Sequence, residues 1–132
     1  MLRYMLDTNI CIYVINLVPA ELAERFDAWS SAICISSITY GELCFGVEKS
    51  AQRARNAAVL DDFTSRLTVL GFTANAAAHF GDIRAHLKRA GIPCGPYDMQ
   101  IGAHARSEGL TVVTNNRREF DRMPGVLVEN WL

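Results

Sequence analysis

The sequence predicts an α/β fold, a single domain built around a central, mostly parallel β-sheet with helices on both faces. Short apolar runs of strand length alternate along the chain with longer stretches of helical periodicity. The connections between them are short, which favours parallel strands joined by right-handed crossovers. Half of the 132 residues are apolar and a fifth are charged, so we expect one globular core and a single domain over residues 1–132.

The N-terminal part predicts one strand and two helices. The apolar run from Leu2 to Leu6 stops at a polar cluster and is typical of a buried strand. Residues 10–17 are apolar enough for a buried helix. A second helix is predicted over residues 19–29, because a proline suits its first turn and Leu22 and Phe26 recur on one face.

The middle of the chain predicts strand, helix, helix and strand. Residues 32–35 are a short apolar run typical of a buried strand. The pair Ser36–Ser37 is the start signal of a helix that reaches Gly46. Residues 52–67 predict a further helix, and residues 68–70 a third strand. The predicted inward positions of the 52–67 helix are Ala54, Ala58, Phe63 and Leu67.

Two longer helices with clear ends follow. Residues 74–90 are helical, and Gly91 is placed to end that helix. Pro96 precedes a helix over residues 97–108, which Gly109 closes. The predicted inward positions of the 74–90 helix are Ala77, Phe80, Ile83 and Leu87.

The last part of the chain predicts two strands around a short helical turn. Residues 110–114 are the most β-branched run in the sequence and predict a central strand. Residues 115–123 predict the helical turn, and residues 126–128 an edge strand.

The cysteines and histidines show no pattern of a zinc site or a disulfide framework. We expect the cysteines to be buried thiols of a reducing compartment, and the histidines to be partly exposed helix positions. No secretion signal or bilayer-length apolar run is visible, so a cytoplasmic protein is expected. These residues are Cys11, Cys34, Cys44, Cys94, His79, His86 and His104.

The net charge of −1 argues against a strongly basic protein that coats nucleic acid. Local positive clusters remain, and they suit either solvated helix faces or the rim of a polyanion site. The clusters are Arg84, Lys88 and Arg89, and then Arg106, Arg117, Arg118 and Arg122.

Four carboxylates share one placement in the predicted fold. Each lies where a strand ends or where a loop opens a helix, and in a parallel sheet these junctions lie along one edge. The four are Asp7, Glu42, Asp98 and Glu119. Each also has a simpler explanation, as a helix cap, a capping-box partner of Thr39, a first-turn acid or an ion-pair partner of Arg122.

Taken together, the four acids predict a site for a divalent cation. Carboxylates held close together raise each other's pKa unless a cation is present. Oxygen ligands without convergent histidine or cysteine suit Mg²⁺ or Mn²⁺. Such a site supports phosphodiester hydrolysis, because the metal acidifies a bound water and neutralises charge on the leaving oxygen. The pattern therefore favours a metal-dependent nuclease.

Four segments of the chain resemble the PIN-domain ribonucleases and, more closely, the VapC toxins of bacterial VapBC toxin-antitoxin pairs. The segments are Met5–Asn9, Ser36–Leu43, Gly95–Gly102 and Val113–Phe120, and the chain ends with a matching Val128–Trp131. They occur in the family's order and at its spacing, so the resemblance runs from end to end.

This resemblance implies a Mg²⁺- or Mn²⁺-dependent endoribonuclease, usually a homodimer, that a cognate VapB-type antitoxin inhibits by placing its tail in the acidic groove. It suggests tRNA as the first substrate to consider. Operator DNA is expected to be bound only through the antitoxin, because this chain has no helix-turn-helix signature.

Residue by residue, Asp7, Glu42 and Asp98 match the three core metal-binding acids of the family. Glu119 matches an acid that some relatives carry before a phenylalanine, whereas many others carry an aspartate at the position of Asn116. We expect Glu119 to be the fourth carboxylate, and the amide leaves open whether a second metal binds. The expected supporting hydrogen-bonding residues are Thr8, Asn9, Thr114 and Asn116. The expected phosphate contacts are Arg84, Lys88, Arg89, Arg117 and Arg118.

Two other functions stay open from the sequence. A strand that ends in an aspartate also opens phosphatases with an aspartate nucleophile, but these need a second aspartate where this chain has Asn9. They also need a lysine at a strand end, and Lys49 and Lys88 fall in helices. The other alternative is a PIN-fold interaction module with weak catalysis, which the intact acids disfavour.

Overall fold

The computed structural model describes all 132 residues, Met1–Leu132, and confirms the predicted α/β fold. A five-stranded parallel sheet has the order β3-β2-β1-β4-β5. The strands are β1 (Tyr4–Leu6), β2 (Ile33–Ser36), β3 (Thr68–Leu70), β4 (Thr111–Val113) and β5 (Leu127–Glu129). The middle position belongs to β1, with the predicted central strand β4 beside it and β5 at the edge.

Each predicted helix is present. The helices are α1 (Thr8–Ile15), α2 (Ala20–Trp29), α3 (Ser37–Glu48), α4 (Arg53–Ser65), α5 (Ala74–Arg89), α6 (Pro96–Glu108) and α7 (Arg117–Asp121). Gly91 and Gly109 follow α5 and α6 with positive φ angles of 71° and 68°, a conformation that glycine adopts at little cost. No helix combines the length and apolarity needed to cross a membrane.

Two hydrophobic clusters pack on opposite faces of the sheet. Successive residues of β1 divide between them, with Leu6 in one and Met5 in the other, because side chains alternate along a strand. The first cluster takes its helical residues from α1 to α4, and the second from α5 to α7. The sheet is therefore covered on both faces, as all-parallel sheets require.

Several predicted inward positions are wrong. On α4, Ala54 and Ala58 are exposed, while Leu60 and Phe63 are buried. Alanine removes little apolar area from water, so the larger side chains determine which face of a helix turns inward. On α5 the larger residues Ile83 and Leu87 determine the buried face. Ala76 lies on that face, so the adjacent Ala77 is exposed.

The predicted burial of α1 and of the thiols holds only in part. Ile12 and Tyr13 of α1 are exposed, because the helix packs through one face only. All four cysteines are free, but Cys44 and Cys94 are only partly buried.

His104, predicted to be partly exposed, is fully buried on α6. Its Nδ1 atom lies 2.8 Å from the hydroxyl of Ser36, the residue that caps α3. A polar partner within the core makes the burial of an imidazole possible.

Candidate active site

Asp7 has two structural roles at the carboxyl end of β1. Its Oδ1 atom accepts the backbone N–H of Ile10 at 2.9 Å, which caps α1, and its Oδ2 atom accepts the hydroxyl of Thr114. Burial raises the pKa of Asp7, the two hydrogen bonds oppose that rise, and the charge of Glu42 adds to it. The helix-cap and site explanations of this acid are therefore compatible.

Thr114 is the buried residue that follows β4 and orients Asp7. Its hydroxyl oxygen accepts the backbone N–H of Asn116 at 2.8 Å, which leaves the hydroxyl hydrogen free to point at the aspartate. Asn116 is thus held through its backbone, and its side chain is exposed, as is that of Asn9.

Glu42 is held from α3 by the first residue of α1. The hydroxyl of Thr8 donates to Oε1 of Glu42 at 2.7 Å. The alternative explanation of Glu42, a capping box with Thr39, does not hold, because α3 begins at Ser37 with Ser36 as its cap. Glu42 therefore lies in the body of the helix, facing the start of α1.

Asp98 interacts electrostatically with each of the other three acids. It lies in the first turn of α6, and its pKa is raised to about 6. Partial burial is the main cause, followed by the negative charges of Asp7, Glu119 and Glu42. The structure thus brings all four predicted carboxylates close enough to interact.

Glu119 completes the group from α7, without the arginine partner that its sequence position suggests. Arg122 instead donates to the backbone carbonyl of Pro93 at 3.1 Å. The Oε2 atom of Glu119 is buried and has no hydrogen-bond partner. Burial and the adjacent Glu119 carboxylate raise the pKa of Cys94 to about 12, a contact that no sequence pattern indicated.

The donor set fits a divalent metal that keeps much of its water. No ion pair links a lysine or arginine to any of the four acids. No three acidic, histidine or cysteine side chains converge tightly enough to chelate one ion. Mg²⁺ is commonly held by one or two carboxylates, waters and substrate phosphate, so it does not require a tight cluster of three protein ligands. A cation among these acids would give the Oε2 atom of Glu119 a partner and would offset the mutual repulsion that adds to the raised pKa of Asp98.

The basic residues predicted to contact phosphate are exposed, and only Arg117 among them forms an ion pair. Lys88 and Arg89 lie in the last turn of α5, beside the segment that leads to α6. Arg117 pairs with Asp121 within α7 at 3.1 Å, and Arg118 is exposed next to it. Arg84 lies against the ring of Phe80. The structure does not bring these side chains into the group of acids.

Arg106, in contrast, has a structural role. It bonds His79 and Asp82 of α5 and the carbonyl of Pro124, and so ties α6 to two neighbouring segments.

Two grooves meet at Glu42, and sequence patterns indicated neither. The first, here called the apolar cleft, has a volume of about 300 Å³ between α1, α3 and α4. Its aliphatic lining is Ile12, Ile15, Leu43, Val47, Val59 and Leu60. The second, here called the aromatic groove, has a volume of about 670 Å³ and is lined by Phe45, Tyr97, Ile38 and Lys49, among others. Both grooves include Thr8 and Glu42, so each reaches one of the four acids.

Acids gathered beyond the carboxyl edge of a parallel sheet are the arrangement expected of a PIN domain, and the PIN-domain family model matches residues 4–126. The chain is 54% identical over 131 residues to the tRNA(fMet)-specific endonuclease VapC of Salmonella typhimurium, covering 99% of both. It is 52% identical over 132 residues to ribonuclease VapC2 of Haemophilus influenzae, covering all of both. The chain belongs to the PIN-domain family and, within it, to the VapC ribonucleases.

Solved structures agree with this assignment. The DNA-bound VapBC complex of Salmonella typhimurium matches with a TM-score of 0.96 and 54% identity, covering 100% of both chains. VapBC2 of Rickettsia felis, bound to a DNA fragment from its promoter, matches with a TM-score of 0.93 and 39% identity, covering 99% of this chain and all of the other.

Proposed function

We propose that this chain is a Mg²⁺- or Mn²⁺-dependent endoribonuclease toxin that hydrolyses phosphodiester bonds in RNA. The observation that carries the proposal is the convergence of Asp7, Glu42 and Glu119 on Asp98, with no basic side chain among them. A bound metal supplies an acidified water and neutralises charge on the phosphate. Asp7 and Asp98 are the proposed principal ligands, with Glu42 and Glu119 completing the negative site.

The neighbouring polar residues orient these acids. The Thr114 hydroxyl donates to one carboxylate oxygen of Asp7 and the backbone N–H of Ile10 donates to the other, so the aspartate keeps a single orientation. Thr8 does the same for Glu42. Asn9 and Asn116 are exposed amides at the same edge, available to a substrate. The Oε2 atom of Glu119, which has no hydrogen-bond partner, can accept a hydrogen bond from a water or act as a ligand to the metal.

The substrate class and the partner follow from the relatives. A relative that is 54% identical is named a tRNA(fMet)-specific endonuclease, which supports tRNA as the substrate here. Two similar solved structures are VapBC complexes bound to DNA, which supports inhibition by a VapB-type antitoxin that carries the DNA-binding function. A homodimer is proposed from the family alone.

The apolar cleft is the proposed seat of the antitoxin. It is lined by aliphatic side chains, and Val59 and Ile12 there are 41% and 43% exposed. Because Thr8 and Glu42 line one part of the cleft, a segment lying in it reaches Glu42. Binding there would both bury apolar area and block the site.

The decisive experiment incubates the purified protein with bulk tRNA in the presence of Mg²⁺ or Mn²⁺ and in the presence of EDTA. Metal-dependent cleavage is expected from the wild type and not from Asp7→Asn or Asp98→Asn. Asp61→Asn, which changes an exposed acid of α4, serves as a matched control and retains activity. Cleavage that persists in EDTA, or in both site variants, would disprove the proposal.

A further inference from the structure

The aromatic groove carries two exposed rings directly beside the acids. Tyr97 immediately precedes Asp98, and Phe45 lies one turn after Glu42 on α3. They are the most exposed aromatic residues of the chain, at 55% and 65% of their full area. Large rings left in water next to a reactive site are characteristic of binding surfaces.

The aromatic groove places a single lysine beside one of its two exposed rings. Lys49 is the only cation in its lining, and its ammonium group lies 5.2 Å from the centre of the Phe45 ring. Glu42 is the only acid in the lining. Rings with a cation beside them bind single-stranded nucleic acid, because bases stack on the rings while the cation neutralises a phosphate.

The apolar cleft and the aromatic groove differ in their lining, which suits a protein segment in the first and RNA in the second. The apolar cleft is lined by aliphatic side chains and contains no lysine or arginine, which suits a protein segment. The aromatic groove adds Phe45, Tyr97 and Lys49. Stacking on a protein ring requires a base that is not already stacked within a helix, so these rings select unpaired nucleotides.

We propose that Phe45 and Tyr97 are base-stacking residues that hold unpaired nucleotides flanking the scissile phosphodiester, with Lys49 contacting a neighbouring phosphate. The inference rests on the proposed ribonuclease function, since it places the nucleotides relative to the acids. It assigns substrate choice to loop regions of RNA, because a continuous duplex offers no base to either ring.

The test combines loss of a ring with loss of a base. Phe45→Leu and Tyr97→Leu remove stacking but keep apolar bulk, whereas Phe45→Tyr and Tyr97→Phe keep a ring. Leu127→Ala removes an equally exposed side chain from β5, outside the groove, and is the matched control. The substrates are a single-stranded oligoribonucleotide with a mapped cleavage site and versions with an abasic position on either side of that bond.

We expect each leucine variant to raise KM by roughly 5- to 100-fold, the range that stacking of one base provides. The ring-keeping variants and Leu127→Ala should stay near the wild-type value. An abasic position should weaken binding to the wild type and have little further effect on the matching leucine variant. A blunt duplex of the same sequence should be a poor substrate throughout.

The same combinations of ring variants and abasic RNAs are also compared by RNA affinity, measured by fluorescence anisotropy in the Asp7→Asn background. This measurement needs no cleavage, so failure of the ribonuclease proposal is distinguishable from failure of the stacking proposal. Base and ring losses that add independently would overturn the stacking proposal. A change of oligomeric state or of antitoxin affinity in the leucine variants, with RNA binding unaltered, would instead make the groove a protein interface. Melting temperatures confirm that every variant is folded.

Discussion

The hydroxyl of Thr114 donates a hydrogen bond to the carboxylate of Asp7, which joins the ends of the two neighbouring parallel strands β4 and β1. We expect Thr114→Val to lower cleavage and metal affinity by roughly 10- to 100-fold, the usual effect of losing a group that orients a metal ligand. Steady-state rates and Mn²⁺ titration calorimetry measure both quantities. Thr114→Ser keeps the hydroxyl and should retain most activity, and an equal loss in both variants would contradict the orienting role.

The metal-free protein should lose stability as the pH rises toward neutrality because of Asp98. The pKa of Asp98 is about 6 in the folded protein, above its ordinary value of 3.8, so the folded state binds the proton more tightly. This contribution is fully present below about pH 4 and is lost as the pH rises through 6. The loss is at most about 3 kcal/mol.

This dependence is measured as the difference in free energy of unfolding between wild type and Asp98→Asn from pH 4 to 8, in EDTA. The variant should gain on the wild type as the pH rises, and saturating Mg²⁺ should stabilise only the wild type. A difference that does not change with pH would contradict the assignment of the charge cluster to Asp98.

Glu119, rather than Asn116, is expected to supply the fourth acid. Glu119→Gln should reduce cleavage at least 10-fold, because the field of its carboxylate reaches Asp98. Asn116→Ala should reduce it by less than about 5-fold, because the structure holds this residue through its backbone N–H. Rates at several Mn²⁺ concentrations check the pair, and a larger loss in Asn116→Ala would reverse the assignment.

His104 should stabilise the protein most near neutral pH. Burial lowers the pKa of His104, so the folded state resists its protonation. Its contribution is therefore present above the ordinary value of 6.5 and lost as the pH falls through the lower folded value. His104→Gln should cost about 1–3 kcal/mol at pH 7.5, because Ser36 and the core lose a partner. Urea unfolding at pH 7.5 and pH 5 should show that cost shrinking, and a constant cost would count against a neutral imidazole.

The sequence predicted the strands and the ends of α5 and α6 because short-range chemistry determines them. A short apolar run closed by Asp7 and a glycine placed after a helix each indicate one structure locally. Alternation and short connections predicted the parallel pairing of the strands, which brings Asp7 and Glu42 to one edge, whereas the full strand order came from the structure. The candidate acids were therefore accessible from the sequence.

The contacts between elements were not predictable in the same way. His104 looks like any polar position on α6 until the hydroxyl of Ser36 lies beside it, 68 residues away. Cys94 meets Glu119 only because the segment before α6 packs next to α7. The inward face of α4 was predicted wrongly because alanine is compatible with both core and surface. These features depend on tertiary packing, which a single sequence does not specify.

The shared position of Asp7, at a strand end and as the cap of α1, has a practical consequence for anyone making a harmless allele of a toxin. Alanine there would delete the charge and also loosen the first turn of the helix that forms one wall of the apolar cleft. An antitoxin-binding assay on such an allele would confuse two effects. Asparagine is isosteric and caps helices as well as aspartate does, so we expect Asp7→Asn to remove the proposed activity while leaving the wall of that cleft in place.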